Sequence, residues 1–333
     1  MEHARAAKLA DVAALAGVSV GTASKALTAN GTLRRETRQK VLAAAERLNY
    51  RPNTHARGLV SGRSYTVGLI TSDRLGRFSV PVMLGAEDSL ATGQMAILFC
   101  DAREDPVRER HWLQTLKARN VDGILVTSLR SDARASLSDQ VSVPVVYAYS
   151  PSEREDDISV VPDDRQGGRL AGDHLLEIGR RRIAYVGGPQ TYTAAHLRLE
   201  GLKDVLSEAG LSLVSAPLFV SWEEEGGRQA ARVLLRRGEE FDAVFCASDQ
   251  IARGLIEELG AHNVQVPDDV AVVGFDNWDI MALASRPTIT SIDMNLTTVG
   301  ERAARLLTDA INGTPSPGTH YVECTLVVRG STV

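Results

Sequence analysis

The stretch DVAALAGVSVGTASKAL, Asp11–Leu27, decides how the chain is read. It holds two short amphipathic patterns around Ala16-Gly17-Val18-Ser19. Their spacing predicts helices over 9–16 and 20–28, and a third follows over 35–49. Gly17 can take the positive φ that a tight helix-to-helix turn needs. Ser19 is placed to cap the second helix. Ala13, Val18, Ala23 and Ala26 then face one another, and their small size lets the helices cross closely. This is a helix-turn-helix pattern, whose second helix enters the DNA major groove.

Charge supports that reading. The 333 residues carry a net charge of −5, which alone argues against a nucleic-acid partner. Residues 1–63, however, hold eleven Lys and Arg against four Asp and Glu, a net +7; the remainder holds 26 against 38, a net −12. A basic head on an acidic body is the asymmetry of a DNA-binding module joined to a soluble domain.

Outward from the head comes YRPNTHARGLVSGRS, residues 50–64. Pro52 stops the third helix, Asn53 can cap a short helix over 54–60, and Ser61-Gly62 end it. So short a segment is unstable alone. It reads either as a flexible linker or as a hinge that folds when docked.

From Tyr65 the period changes. YTVGLI, MAILFC, DGILVTS, VPVVYAY, RRIAYVGG, DAVFCAS and DVAVVGF read as strands. Helices are expected near 81–93, 105–119, 165–179, 192–209, 225–237 and 249–260. Strands apolar on both faces, alternating with helices, imply parallel sheets. About 270 residues exceed one core, so two α/β subdomains are expected, changing over near 150–165. Ligands of such sheets bind at the carboxyl ends of strands. The opening MEHARAAKLA has no signal-peptide core, and no uncharged apolar stretch spans a bilayer. Cys100, Cys246 and Cys324 are far apart inside apolar runs, the usage of free thiols in a reducing compartment. A cytoplasmic location is expected.

Nearly the whole chain resembles the lactose-repressor/galactose-repressor family of bacterial transcription regulators. The resemblance rests on DVAALAGVSVGTASKAL, TRQKVLAAAERLNYRPN, ARGLVSGRSYTVGLI, RLAGDHLLEIGRRRIAYVGG, SDQIARGL, DVAVVGFDN and LVVRGST. It implies an all-α helix-turn-helix head at 1–52, a hinge at 53–64, and an effector-binding, dimerising body at 65–333. That body would have two parallel-sheet lobes, as in periplasmic binding proteins.

The resemblance also implies roles. Val20, Gly21 and Lys25 match base-reading positions, and Lys25 can reach guanine O6/N7. Gly21 has no side chain to read with, so the head should lean on Lys25. Thr22 and Ser24 match phosphate-contacting positions, although Thr22 is equally placed to cap its helix. Arg34 stands where the family has a capping serine, losing a cap and adding a cation that can hold a phosphate. Ala23 and Ala26 replace larger residues and imply a weak core for the head. Asn53, Ala56 and Leu59 match the hinge that meets the minor groove, where paired leucine wedges bend the DNA.

In the body, Arg198, Trp222, Ser248, Asp249 and Asp276 match the effector cleft. An aromatic face stacks on a sugar ring or a base, and an Arg–Asp pair suits adjacent hydroxyls. Each has another reading: Asp249 as a helix cap, Arg198 paired with a surface carboxylate, Trp222 in the core. TSDRLGRFSVP, after the first strand, departs from the family's Asn-Pro-Phe pattern. The chain ends at Val333 without the heptads of tetrameric relatives, so a homodimer is expected.

Gly187-Gly188 follows a strand, but no G-x-G-x-x-G, P-loop, nucleophile–base pair or metal spacing accompanies it, so no enzyme, cofactor or metal is expected. The head argues against a plain carbohydrate-binding protein. The expected function is a repressor whose dimer binds a pseudo-palindromic operator in double-stranded DNA and is released by a small molecule, a sugar. The alternative is a regulator that binds DNA together with a corepressor such as a purine.

Overall fold

Gly17, at φ 66°, ends the first helix by closing backbone bonds to Ala13 and Ala14. The computed structural model describes residues 7–27, 33–50, 63–73, 76–93 and 95–333. The chain divides into two compact units, Met1–Tyr65 and Thr66–Val333.

The first unit contains α1 (Leu9–Ala16), α2 (Val20–Leu27) and α3 (Arg35–Arg47). Asp11 accepts the Lys8 N–H at 2.7 Å, and the Ser19 hydroxyl accepts the Thr22 N–H at 3.1 Å. Each satisfies an amide that a helix start would leave unpaired. Val12, Ala13, Ala23, Ala26, Val41, Ala44 and Ala45 form the core, with Val18 packed at its edge. Five of the seven are alanines, so each contributes little buried area.

The second unit is two α/β lobes. Its elements are β1 (Thr66–Thr71), α4 (Ser79–Ala91), β2 (Ala96–Asp101), α5 (Pro106–Ala118), β3 (Gly123–Thr127), β4 (Val145–Ala148), β5 (Ile158–Pro162), α6 (Asp164–Glu177), β6 (Ile183–Gly187) and α7 (Thr193–Glu208). There follow β7 (Leu218–Phe219), α8 (Glu224–Arg237), β8 (Ala243–Cys246), α9 (Asp249–Ala261), β9 (Ala271–Phe275), α10 (Asp279–Ala282), β10 (Thr290–Asp293), α11 (Leu296–Ile311), β11 (Gly318–Val322) and β12 (Thr325–Val327).

One sheet has the order β11-β5-β4-β3-β1-β2, the other β12-β10-β9-β8-β6-β7. All pairs are parallel except β10 with β12, so the second sheet carries an antiparallel edge. The chain crosses between lobes between β5 and α6, between β10 and α11, and between β11 and β12.

The expected helices and strands of the body all form, with shifts at their ends. Asp105 accepts the Val107 N–H at 2.8 Å and Pro106 occupies the first helical position, fixing the start of α5. Pro81 is tolerated in the first turn of α4, where its missing N–H leaves no bond unmade. Four strands and one long helix were not expected beside the two-residue β7. The helix α11 opens Leu-Thr-Thr-Val-Gly, β-branched residues and a glycine that blur a helical period. It packs on the first sheet against β3, β4 and β5, so the first lobe is completed by the last fifth of the chain.

Three helix pairs meet at facing glycines. A Cβ on Gly85 would strike Thr297 and one on Gly300 would strike Val82; Gly168 and Gly201, then Gly227 and Gly254, repeat the arrangement. These contacts join α4 to α11, α6 to α7 and α8 to α9. Cys100, Cys246 and Cys324 are free and buried. No helix of the described residues is long and apolar enough to cross a membrane.

Candidate effector cleft and DNA-reading surface

Loops that follow parallel strands line one cavity of about 370 Å³. From the first lobe come Asp73, Arg77 and Phe78 after β1, Leu129, Arg130 and Ser131 after β3, and Tyr149 after β4. From the second come Tyr192 and Arg198 after β6, Trp222 and Glu223 after β7, Ser248 and Gln250 after β8, and Asp276 and Trp278 after β9. The volume falls in the range of small-molecule sites, roughly 300–1,000 Å³.

Arg198 projects from α7 and is 3% exposed. Its Nε donates to Asp164 at 2.7 Å and its Nη1 to the Ala247 carbonyl at 2.6 Å. Its Nη1 also stands 3.5 Å from Asp276, and the guanidinium lies 3.6 Å from the Phe275 ring centre. Burial works against its charge, but Asp164 and Asp276 more than offset it and its pKa rises. The partner is therefore a buried carboxylate rather than a surface one. Nη2 finds only the Met294 sulfur, at 3.7 Å, a weak acceptor. That nitrogen keeps donor capacity.

Trp222 stands on the cavity wall, packed edge-on to Tyr192 with centroids 5.4 Å apart. A side chain on Gly188 would overlap its indole. Asp276 sits at φ 100°, a region that L-residues rarely adopt and that concentrates at functional sites. Tyr149, at φ 76°, shares that trait and stacks on Phe78 at 4.6 Å. Burial pushes the Asp276 carboxyl up while Arg77 and Arg198 pull it back.

Ser248 lines the cavity and caps α9, accepting the Ile251 N–H at 3.2 Å. Asp249 differs from the expectation. It is fully buried and does not line the cavity. Its oxygens accept the Ser291 hydroxyl at 2.6 Å and the Trp278 N–H at 2.7 Å, pinning the loop that carries Asp276. These two bonds turn its side chain toward β10 and the loop after β9.

Arg77 and Phe78, from the segment TSDRLGRFSVP noted in the sequence, line the same cavity, as do Tyr149, Tyr192, Gln250 and Trp278, which were not singled out. The signal was available: each follows a parallel strand, where such sheets place their ligands.

In the head, Val20 is 49% exposed and Lys25 and Gly21 are exposed, while Ala23 and Ala26 turn inward. Val20, Gly21 and Lys25 thus share the exposed face of α2. The Thr22 hydroxyl lies 2.9 Å from that of Ser19, which ties it to the cap. Ser24 is half-buried and Arg34 exposed; Arg34 precedes α3 without a side-chain cap bond. Asn53, Ala56 and Leu59 lie outside the described residues. These residues include no cluster of three metal-ligating side chains.

The profile of bacterial regulatory proteins of the lacI family matches residues 8–53, and that of a periplasmic binding protein-like domain matches 172–332. The HTH-type transcriptional regulator CelR of Thermobifida fusca is 36% identical, covering 99% of this chain and all of its own. The solved CelR–cellobiose complex superposes with a TM-score of 0.69 at 32% identity, over 98% of this chain and 99% of that one. The lac repressor dimer bound to operator and an anti-inducer gives 0.74 at 25% identity, over 99% and 100%. A helix-turn-helix whose second helix exposes its outer face and a two-lobed body with a polar, aromatic cleft agree with these matches: the chain belongs to the LacI family of DNA-binding transcription regulators and is not an enzyme.

Proposed function

We propose that this regulator is a cytoplasmic, dimeric repressor released from a pseudo-palindromic operator by a neutral sugar of the cellobiose type. The observation that carries the ligand class is the cavity: Trp222 supplies a flat apolar wall, and Arg198, Ser248 and Asp276 supply donors and acceptors around it. Two arginines there are internally paired, Arg198 with Asp164 and Arg77 with Asp276, which suits an uncharged, hydroxyl-rich ligand. The CelR–cellobiose relative supports the same class.

On this reading the chain works as a head (1–52), a hinge (53–64) and an effector body (65–333). Val20, Gly21 and Lys25 read bases, Thr22, Ser24 and Arg34 hold phosphates, and Asn53, Ala56 and Leu59 form the minor-groove hinge. Titration calorimetry with cellobiose, glucose, ribose, gluconate and hypoxanthine tests the ligand class. Tight binding of cellobiose alone is expected; preference for hypoxanthine would favour a purine corepressor instead.

A further inference from the structure

Two buried polar atoms on the first lobe's wall of the cavity have no hydrogen-bond partner. One is Nε of Arg77 and the other Oδ1 of Asp73. Both residues lie in the segment that departs from the family's pattern, and both line the same cavity. Their remaining atoms are fully engaged. Arg77 Nη1 donates to Gln250 at 3.0 Å and Nη2 pairs with Asp276, so this side chain ties the first lobe to the second. The guanidinium lies between the rings of Phe78, at 4.8 Å, and Trp278, at 4.3 Å, and cannot easily turn. Asp73 is 3% exposed. Its Oδ2 accepts the N–H groups of Phe78 and Ser79 at 2.7 and 3.0 Å, which starts α4.

A guanidinium N–H only donates and a carboxylate oxygen only accepts. A buried group of either kind left unpaired is costly. A hydroxyl does both and satisfies the two at once. An anionic group would meet the Asp73 charge, and an ammonium would meet Arg77.

We propose that Arg77 and Asp73 form a subsite that reads one ligand hydroxyl, Arg77 Nε donating to it and Asp73 Oδ1 accepting from it. The outer nitrogens of Arg77 meanwhile hold Asp276 and Gln250, so the residue that recognises the hydroxyl also bridges the lobes. This rests on the reading of the cavity as a neutral-sugar site. Arg77 becomes a specificity-determining residue of this chain.

The test is calorimetry of cellobiose with the full chain as wild type, Asp73→Asn, Arg77→Met and the double variant. Asp73→Asn keeps an oxygen to cap α4 and turns the free acceptor into a donor. Each single change is expected to weaken binding about ten-fold or more, and the double little further, because one hydroxyl is shared. Melting temperatures establish folding; Arg77→Met caps no helix and decides alone if Asp73→Asn fails to fold. Wild-type affinity in either folded variant, or losses that multiply in the double, overturns the subsite while the sugar reading stands. No binding of cellobiose to the wild type overturns the cellobiose-type reading and the subsite with it.

Discussion

Gly188 leaves the space that the Trp222 indole occupies: a Cβ at 188 would run into the ring. The pair links β6 to the loop after β7, and it holds the aromatic wall of the cavity in place. Gly188→Ala therefore displaces the indole while leaving the backbone φ accessible. Sugar affinity should fall by about 1–2 kcal/mol, roughly ten-fold in Kd, with little change in melting temperature. Calorimetry checks this, and equal affinity in Gly188→Ala would show that the indole does not meet the ligand.

Arg198→Ala removes one half of a buried pair. Asp164 is 5% exposed and would lose its cation. Breaking such a pair costs about 3–5 kcal/mol, since a buried charge is left unmatched. The variant should thus lose stability as well as ligand response, and a repression phenotype alone would not separate the two. Adding Asp164→Asn should restore part of the melting temperature. If Arg198→Ala melts like the wild type in urea or heat, the pair contributes nothing to the fold.

Burial and the neighbouring Asp276 charge push the Asp249 carboxyl from 3.8 up to about 8. The folded protein then keeps a proton that the unfolded chain releases in the acid range. Its stabilisation is complete below the unfolded value and is lost as pH rises toward 8 and beyond. Asparagine can satisfy the same two neighbours, donating to Ser291 and accepting from Trp278. The stability of Asp249→Asn relative to wild type should rise between pH 5 and pH 8.5, as followed by thermal melts. A pH-independent difference would mean that Asp249 is ionised throughout.

Lys25 lies on the exposed face of α2. On the proposed reading, with Gly21 beside it carrying no side chain, one cation carries the polar base reading. Lys25→Ala should cost about 1–3 kcal/mol in operator affinity and relax preference at one base pair per half-site. Competition binding against a panel of single-base operator variants distinguishes this from a uniform loss, which would mark a phosphate contact.

The head was legible because its signals are local: Gly17, Ser19 and four small residues specify a turn and a crossing within seventeen positions. The body's strands were legible as apolar runs. What sequence hid depends on distant partners. The helix α11 joins the first lobe some 170 residues after β3, and its opening Thr-Thr-Val-Gly carries no helical period. Asp249 matched a cleft position, yet its orientation is set by Ser291, 42 residues on. Arg77 was hidden for the same reason, since the carboxylate that gives it a role lies 199 residues away.

On the proposed function, sugar binding in the body and operator binding by the head oppose each other. Fluorescence anisotropy of a labelled duplex, selected from a random pool by the protein itself, measures it directly, at fixed salt because the +7 head makes affinity fall with ionic strength. Saturating cellobiose should weaken DNA binding about 10- to 100-fold, and saturating DNA should weaken cellobiose binding by the same factor. Unchanged or tighter DNA binding in the presence of cellobiose would contradict the account.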